Sequence, residues 1–314
     1  MSFRTMLKTP LIVGCWQLDD RSWKAHSEDH IARAIDIYMA MGVSTFDTAD
    51  TYGRSEQLLG RSLQGRTSQV LTKAAFFEEV PTPRQIRHRV ELSRRSLKRD
   101  KLDGLQLQWR NPQLDMSGTL DTFAELVSDG KIDQFGVTNF TLPMLKQAMT
   151  RAPVTFHQVQ YSLIDRRVEN GMQAFCLDHD IALLAYGPLA GGFLSKRFNG
   201  VARPTPEPDH ARSFYYSNMI KAHGGWGKVQ TLLKTLSEVA QRYDKSTAQV
   251  ALNWVAGQPG VEGVIVGLTL TREQIQQNAT ALDWAMSASD RHLLSEASST
   301  LFTQPGDIYS HEQR

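Results

Sequence analysis

Asp47 and Tyr52 lie five positions apart in the stretch from Val43 to Glu56, VSTFDTADTYGRSE. The run starts β-branched, as a buried strand does, and ends in a loop closed by Gly53. One strand end therefore delivers a carboxylate and a phenol to one place. Lys73 ends a second apolar run, Val70-Leu-Thr. An isolated phenol titrates near pH ~10, and a neighbouring ammonium favours its ionised form. With Asp47 holding Lys73 charged, the three residues predict a tyrosine of lowered pKa. Such a group gives a proton to a carbonyl oxygen or takes one from an alcohol. The matching reactant is hydride, which no side chain supplies, so a nicotinamide is the natural partner.

These residues need a scaffold that brings separate strand ends together. Short strand-like runs occur at 11–14, 44–46, 70–72, 104–108, 135–137, 155–159, 182–186 and 263–266, alternating with helical patterns. Ser27, the Thr82-Pro83 pair and Thr141 read as helix starts, and Gly42 as a stop. Eight βα units without a linker predict a single-domain α/β fold, a (β/α)8 TIM barrel over residues 1–314. One long irregular segment, Phe198 to Trp226, interrupts the pattern with Pro204, Pro206 and Pro208. Loops of that length are commonly lids or inserts.

In such barrels the chemistry sits at the C-terminal strand ends. The predicted ends supply Asp47, Tyr52 and Lys73, then Gln108 and Trp109, Thr138 and Asn139, Gln158, Tyr186 and Gly267. Tyr186 suits stacking on a nicotinamide ring, and Asn139 and Gln158 suit its carboxamide. No Gly-x-Gly-x-x-Gly follows the first strand, so no Rossmann fingerprint is present. The Gly-rich turn from Gly187 to Leu194, GPLAGGFL, is the phosphate candidate, although a plain turn has the same composition.

Composition narrows the function. The chain has 314 residues, 41% hydrophobic, and a net charge of +2. That suits a globular enzyme and gives no basic tract for nucleic acid or anionic lipid. The basic run at 94–99 shares a helix with Ile86, Val90 and Leu97, which marks it as a solvated face. Two distant cysteines, Cys15 and Cys176, read as buried thiols in a reducing, cytoplasmic setting. There is no signal-like start and no membrane-length apolar run. His26 and His30 share a spacing that can bind metal, but stand at a polar helix start without a third ligand, and no metal is expected.

The motifs FDTADTYGRSE (46–56), LTK (71–73), GVTNF (136–140), QVQY (158–161), AYGPLAGG (185–192) and the late Gln274 and Asn278 together resemble the aldo-keto reductases. The resemblance runs in order from about Gly14 to Asn278. It implies a barrel that binds NADP(H) extended, without a Rossmann fold, and transfers hydride to or from an aldehyde, ketone or alcohol. It implies Tyr52 as general acid/base, Lys73 lowering its pKa and Asp47 pairing with Lys73. Thr138, Asn139, Gln158 and Tyr186 fall on the nicotinamide contacts. Gly187, Leu189, Gly191 and Leu194 fall on the pyrophosphate, and Gln274 and Asn278 near the adenine end.

Two positions depart from the family pattern. Gln108 stands where a histidine is usual. An amide can orient a substrate oxygen but cannot ionise. The main reading is a reductase with altered rate or pH dependence. The alternative is a nicotinamide-nucleotide-binding regulatory or partner-binding protein with weak or no reductase activity. Beyond Gly267, the segment VIVGLTLTR (264–272) lacks the usual lysine, and Gln274 takes the place of an arginine. Thr269 and Arg272 are then the expected contacts of a cofactor 2′-phosphate. NADP(H) is expected, with NAD(H) left open. Trp16 and Trp109, with residues of the Phe198 to Trp226 segment, are the expected lining of the substrate pocket.

Overall fold

The β-branched and apolar runs become eight parallel strands because a closed barrel lets every strand bury both faces. They are β1 (Leu11–Gly14), β2 (Thr45–Asp47), β3 (Gln69–Phe76), β4 (Leu102–Trp109), β5 (Ile132–Thr138), β6 (Val154–Gln160), β7 (Ala182–Tyr186) and β8 (Val261–Gly267). Each pairs with the next, and β1 closes the ring on β8 with Leu11 opposite Val264 and Gly14 opposite Gly267. The computed structural model describes residues 7–205, 211–302 and 304–306. The chain is a single-domain (β/α)8 barrel.

The outer layer is α1 (Glu28–Ala40), α2 (Ser55–Ser62), α3 (Pro83–Leu97), α4 (Ser117–Ser128), α5 (Leu142–Met149), α6 (Met172–Asp178), α7 (Ala211–Ala222), α8 (Trp226–Arg242), α9 (Thr247–Ala256), α10 (Arg272–Ala279) and α11 (Ala288–Ser299). The start signals act as side-chain caps. Ser27 accepts from the His30 amide and Thr141 from the Met144 amide. Thr82 and Gln85 form a reciprocal capping box ahead of Pro83. Each such cap contributes about 1 kcal/mol. The segment from Phe198 to Trp226 is not irregular throughout: α7 lies inside it and Trp226 already begins α8. No described helix is long and apolar enough to cross a membrane.

Two apolar layers support the site. The larger lies between strands and helices, and a smaller one fills the barrel with Ile12, Leu71, Phe156, Ala182, Leu184 and Ile265. Phe156 and Leu71 are fully buried there, each against a neighbour that lacks a side chain. A Cβ on Gly136 would stand 2.6 Å from the Phe156 ring, and one on Gly104 2.5 Å from Leu71. Inward-facing residues recur every second position along a strand. One step toward the C-terminal ends, the inward set turns polar: Leu71 gives way to Lys73, Gly104 to Gln106 and Gln108, Phe156 to Gln158, and Leu184 to Tyr186. The barrel is thus an apolar plug under a polar mouth.

Candidate active site

Asp47 is the centre of that mouth. Its Oδ1 accepts from Lys73 Nζ at 2.5 Å, and its Oδ2 accepts from Gln158 Nε2 at 2.8 Å and Gln106 Nε2 at 3.1 Å. Lys73 also donates to Thr48 O at 2.9 Å. Asp47 and Lys73 are both buried, so the pair is shielded from solvent screening. Lys73 is not the last residue of its strand, because β3 continues to Phe76. It reaches Asp47 because Asp47 stands opposite Leu71 in the β2–β3 register, one inward step below.

The loop from Asp47 to Tyr52 is tied down on every side. Asp50 N donates to Lys73 O at 3.1 Å, and Tyr52 N to Ala49 O at 3.1 Å. Thr48 and Ser55 share a hydroxyl hydrogen bond of 2.8 Å, and Ser55 also donates to Cys15 O. Arg21 holds Asp19 at 2.7 Å and donates to Thr51 O. This fixes the Tyr52 ring with its centroid 5.3 Å from Lys73 Nζ.

The expected lowering of the Tyr52 pKa is overturned. Burial pushes the phenol up, the Asp47 carboxylate pushes it further, and Arg110 acts against both. The main reason is burial, which disfavours the charged phenolate, and the nearby Asp47 carboxylate adds to it. Tyr52 is therefore held as the neutral, proton-carrying phenol. Cys15 is also held protonated by burial, which leaves it inert beneath the site.

These groups open into a cleft of about 570 Å³. Asp47, Tyr52, Lys73, Gln108, Thr138, Asn139, Gln158, Tyr186, Gly187, Leu189, Gly191, Gly267, Thr269, Gln274, Asn278 and Trp16 all line it. Asn139 adopts a left-handed φ of 55°. Its amide donates to Gln158 O at 3.1 Å, and its Oδ1 accepts from Tyr186 Oη at 3.0 Å. The turn after β7 has left-handed Gly187, Gly191 and Gly192, and a Cβ on Gly192 would meet nothing within 4 Å. Thr269 donates to Gln274 Oε1 at 2.5 Å, and Asn278 to Tyr38 Oη at 3.3 Å.

Three expected site residues lie elsewhere. Trp109 faces outward, buried against Phe76 with ring centroids 6.4 Å apart. Alternation along β4 requires this, because Gln106 and Gln108 face inward. Leu194 is buried in the outer core, and its amide closes the glycine turn onto Leu189 O at 3.2 Å. Arg272 is exposed at the start of α10 and does not line the cleft.

The cleft also has members beyond those expected. Trp23 and Gln17 come from the loop after β1, Phe77 follows β3, and Arg110 follows β4. Ser195 and Arg197 extend the glycine turn, while Tyr215 and Tyr216 of α7 come from the segment expected to line the pocket. Gln106 was legible in principle, two positions before Gln108 on the same strand face. The loop residues and the α7 tyrosines carry no spacing signal.

Comparison with known proteins agrees with this architecture. The model of the Aldo/keto reductase family matches residues 10–298. An uncharacterized oxidoreductase of Mycobacterium tuberculosis is 30% identical over 292 residues, spanning 91% of this chain and 88% of the relative. The NADH-specific methylglyoxal reductase of Escherichia coli is 26% identical over 288 residues, spanning 83% and 85%. Among solved structures, the glycerol dehydrogenase AKR11B4 from Gluconobacter oxydans superposes with a TM-score of 0.82 at 23% identity, covering 95% of this chain and 93% of that one. An aldo/keto reductase from Klebsiella pneumoniae, solved with NADP and acetate, gives 0.69 at 23% identity, covering 91% and 90%. The chain belongs to the aldo/keto reductase family of barrel oxidoreductases.

Proposed function

We propose that the protein is an NADP(H)-dependent reductase of aldehydes or ketones, working in reverse on alcohols, with Tyr52 as general acid/base. The observation that carries this reading is the buried Asp47–Lys73 pair beside Tyr52 at the mouth of a cleft. A bound nicotinamide supplies or accepts the hydride. The residues of the chain do the rest. Tyr52 holds its proton through neutral pH and gives it to the carbonyl oxygen as negative charge develops there. Lys73, fixed by Asp47 and Thr48 O, presents a positive field to that oxygen and to the phenolate left behind. Gln108 is a neutral amide placed to orient the oxygen.

The cleft also fits the cofactor. Tyr186 and Asn139 would hold the nicotinamide end, the Gly187 to Gly192 turn with Ser195 and Arg197 the pyrophosphate, and Thr269, Gln274 and Asn278 the adenosine. A 2′-phosphate would meet the first turn of α10. The Klebsiella structure with NADP favours NADP(H), while the NADH-specific Escherichia relative keeps NAD(H) as the comparison. Parallel titration with NADPH and NADH measures the preference. A cytoplasmic location is proposed from the two buried, free cysteines.

Tyr52→Phe is the direct test. Turnover should be lost while cofactor binding stays within about twofold, because one hydroxyl is removed and the cradle is untouched. Undiminished turnover would sink the mechanism. Gln108 favours the second reading, a nucleotide-responsive binding protein. That reading gains if NADPH binds but no aldehyde or ketone oxidises it, and if Gln108→His creates activity where none existed.

A further inference from the structure

The loop after β1 carries an aromatic wall of the cleft and is built around Asp19. The Asp19 amide donates to Trp16 O at 3.0 Å, and its carbonyl accepts from Ser22 N and Trp23 N, each at 3.0 Å. These backbone bonds bring the Trp16 and Trp23 rings edge to face, with centroids 5.2 Å apart, and both rings line the cleft. The Asp19 carboxylate lies against the loop that carries Tyr52. A Cβ on Gly53 would stand 3.1 Å from its Oδ1, and Gly53 holds a left-handed φ of 53° there. A glycine is what lets the two loops touch.

Arg21 joins the loops. Its Nε donates to Asp19 Oδ1 at 2.7 Å and its Nη2 to Asp19 Oδ2 at 3.2 Å, and Nη2 also donates to Thr51 O. Ser22 Oγ adds a bond to Oδ2 at 3.1 Å. Burial pushes the Asp19 carboxyl up, but the hydrogen bonds from Arg21 and Ser22 outweigh it and hold the group below the usual carboxylate range. The pair is therefore charged at neutral pH. A two-pronged guanidinium–carboxylate contact fixes direction as well as distance. Exposed ion pairs contribute little, and the Arg54–Asp20 contact nearby, at 3.8 Å with both side chains exposed, is of that kind. The Arg21 pair differs, because the Asp19 side chain is only 7% exposed and the guanidinium has a backbone acceptor besides. That acceptor decides the role. Thr51 O belongs to the peptide unit that leads into Tyr52, so holding it fixes the plane from which the phenol departs.

Building on the reductase reading, we infer that Asp19 and Arg21 are positioning residues for the reaction: from behind the cleft wall they clip the loop bearing Trp16 and Trp23 onto Thr51, so that the indole wall and the Tyr52 phenol keep one spacing around the bound carbonyl. Neither side chain touches the reacting atoms. They act through Thr51 O and through the backbone that sets the two indoles.

The test uses the full chain with NADPH and benzaldehyde or, where that is not turned over, butanal. Oxidation of protein-bound NADPH by excess aldehyde is followed in a single turnover. Arg21→Met keeps an apolar stem and removes the fork. Its rate should fall by about tenfold to a hundredfold, as when a reacting group is misplaced by about an ångström. NADPH should still bind within about twofold, because the turns after β7 and β8 are untouched. Asp19→Asn should slow the step as well, since the fork loses its charged anchor. Loss of folded protein lowers the amplitude of the turnover and not its rate, which separates positioning from stability. Arg54→Met, which removes the exposed pair, should stay within about twofold. An unchanged rate in Arg21→Met, or an equal loss in Arg54→Met, overturns the proposal. Hydrogen exchange reads the clip without chemistry. The amides of Asp50, Tyr52 and Ser55, which donate to Lys73 O, Ala49 O and Tyr52 O, should exchange about tenfold faster in Arg21→Met. Equal exchange overturns the clip whatever the turnover. If neither aldehyde oxidises NADPH while exchange rises in Arg21→Met, the reductase reading fails and the clip between the loops stands.

Discussion

Lys73→Met removes an ammonium and keeps most of its stem, so it isolates what the buried ion pair does. The Lys73 and Asp47 side chains are 3% and 5% exposed. After the change, Asp47 keeps Gln158 at 2.8 Å and Gln106 at 3.1 Å but loses its counter-charge at 2.5 Å. Removing one partner of a buried pair costs about 3–5 kcal/mol, mostly from the stranded charge. The two amide donors, each worth about 1.5–3 kcal/mol to a charged acceptor, hold the loss near the lower end. At about 2–4 °C per kcal/mol for a large domain, Tm should fall by roughly 6–12 °C. Asp47→Asn should cost a similar amount by stranding the ammonium. Together the two changes should cost less than their sum by about 1–3 kcal/mol, the coupling of neighbours in one network. Urea and thermal melts on the four proteins give the cycle. Single losses below about 1 kcal/mol that simply add would refute the reasoning, since that is how an exposed pair behaves. Activity should not recover in the double variant even where stability does, which separates the folding role of the pair from its chemical one.

Because the Tyr52 phenol is pushed up rather than down, reduction should be flat from about pH 6 to pH 9 and fall only at higher pH, while alcohol oxidation should rise with pH. A reduction profile with a midpoint near neutrality would contradict this. Burial raises the Asp50 carboxyl to about 7 despite Arg89 Nε at 3.1 Å. A raised carboxyl binds its proton more tightly folded than unfolded, so its contribution is fully present below the unfolded pKa and is lost as pH rises through about 7. Asp50→Asn should therefore flatten the fall in Tm between acid and neutral pH, and a slope equal to that of the unaltered protein would oppose the assignment. Gly136→Ala should cost at least about 1–3 kcal/mol, because its methyl would meet both the ring and the carbonyl oxygen of Phe156 at 2.6 Å. An unchanged urea midpoint would mean the barrel interior is looser than described.

The barrel was legible because each of its eight strands carries its own apolar run and most of its helices an apolar stripe. The caps at Ser27, Thr82 and Thr141 did what their side chains dictate. Within the site, the residues that share the inward face of a strand could be read from position alone: Asp47, Lys73, Gln108, Gln158 and Tyr186. Errors arose where alternation was set aside. Trp109 follows an inward Gln108 and must face out. Leu194 sits in an apolar pair with Phe193, which the core claims. The direction of the Tyr52 shift depends chiefly on how deeply the phenol is buried and how near Asp47 stands, and that is a matter of packing rather than of residue types. The α7 helix was hidden because its apolar residues, ARSFYYSNMIKA, form no one-sided pattern.

Transfer of label from cofactor to product is the most direct test of the proposed chemistry. NADPH carrying deuterium at the transferable position of its nicotinamide is mixed with the protein and an aldehyde, and the alcohol is examined by mass spectrometry. We expect one deuterium on the carbinol carbon with the unaltered protein and none formed over the same time with Tyr52→Phe. Alcohol without the label, or labelled alcohol formed equally fast by Tyr52→Phe, would contradict hydride transfer assisted by this tyrosine.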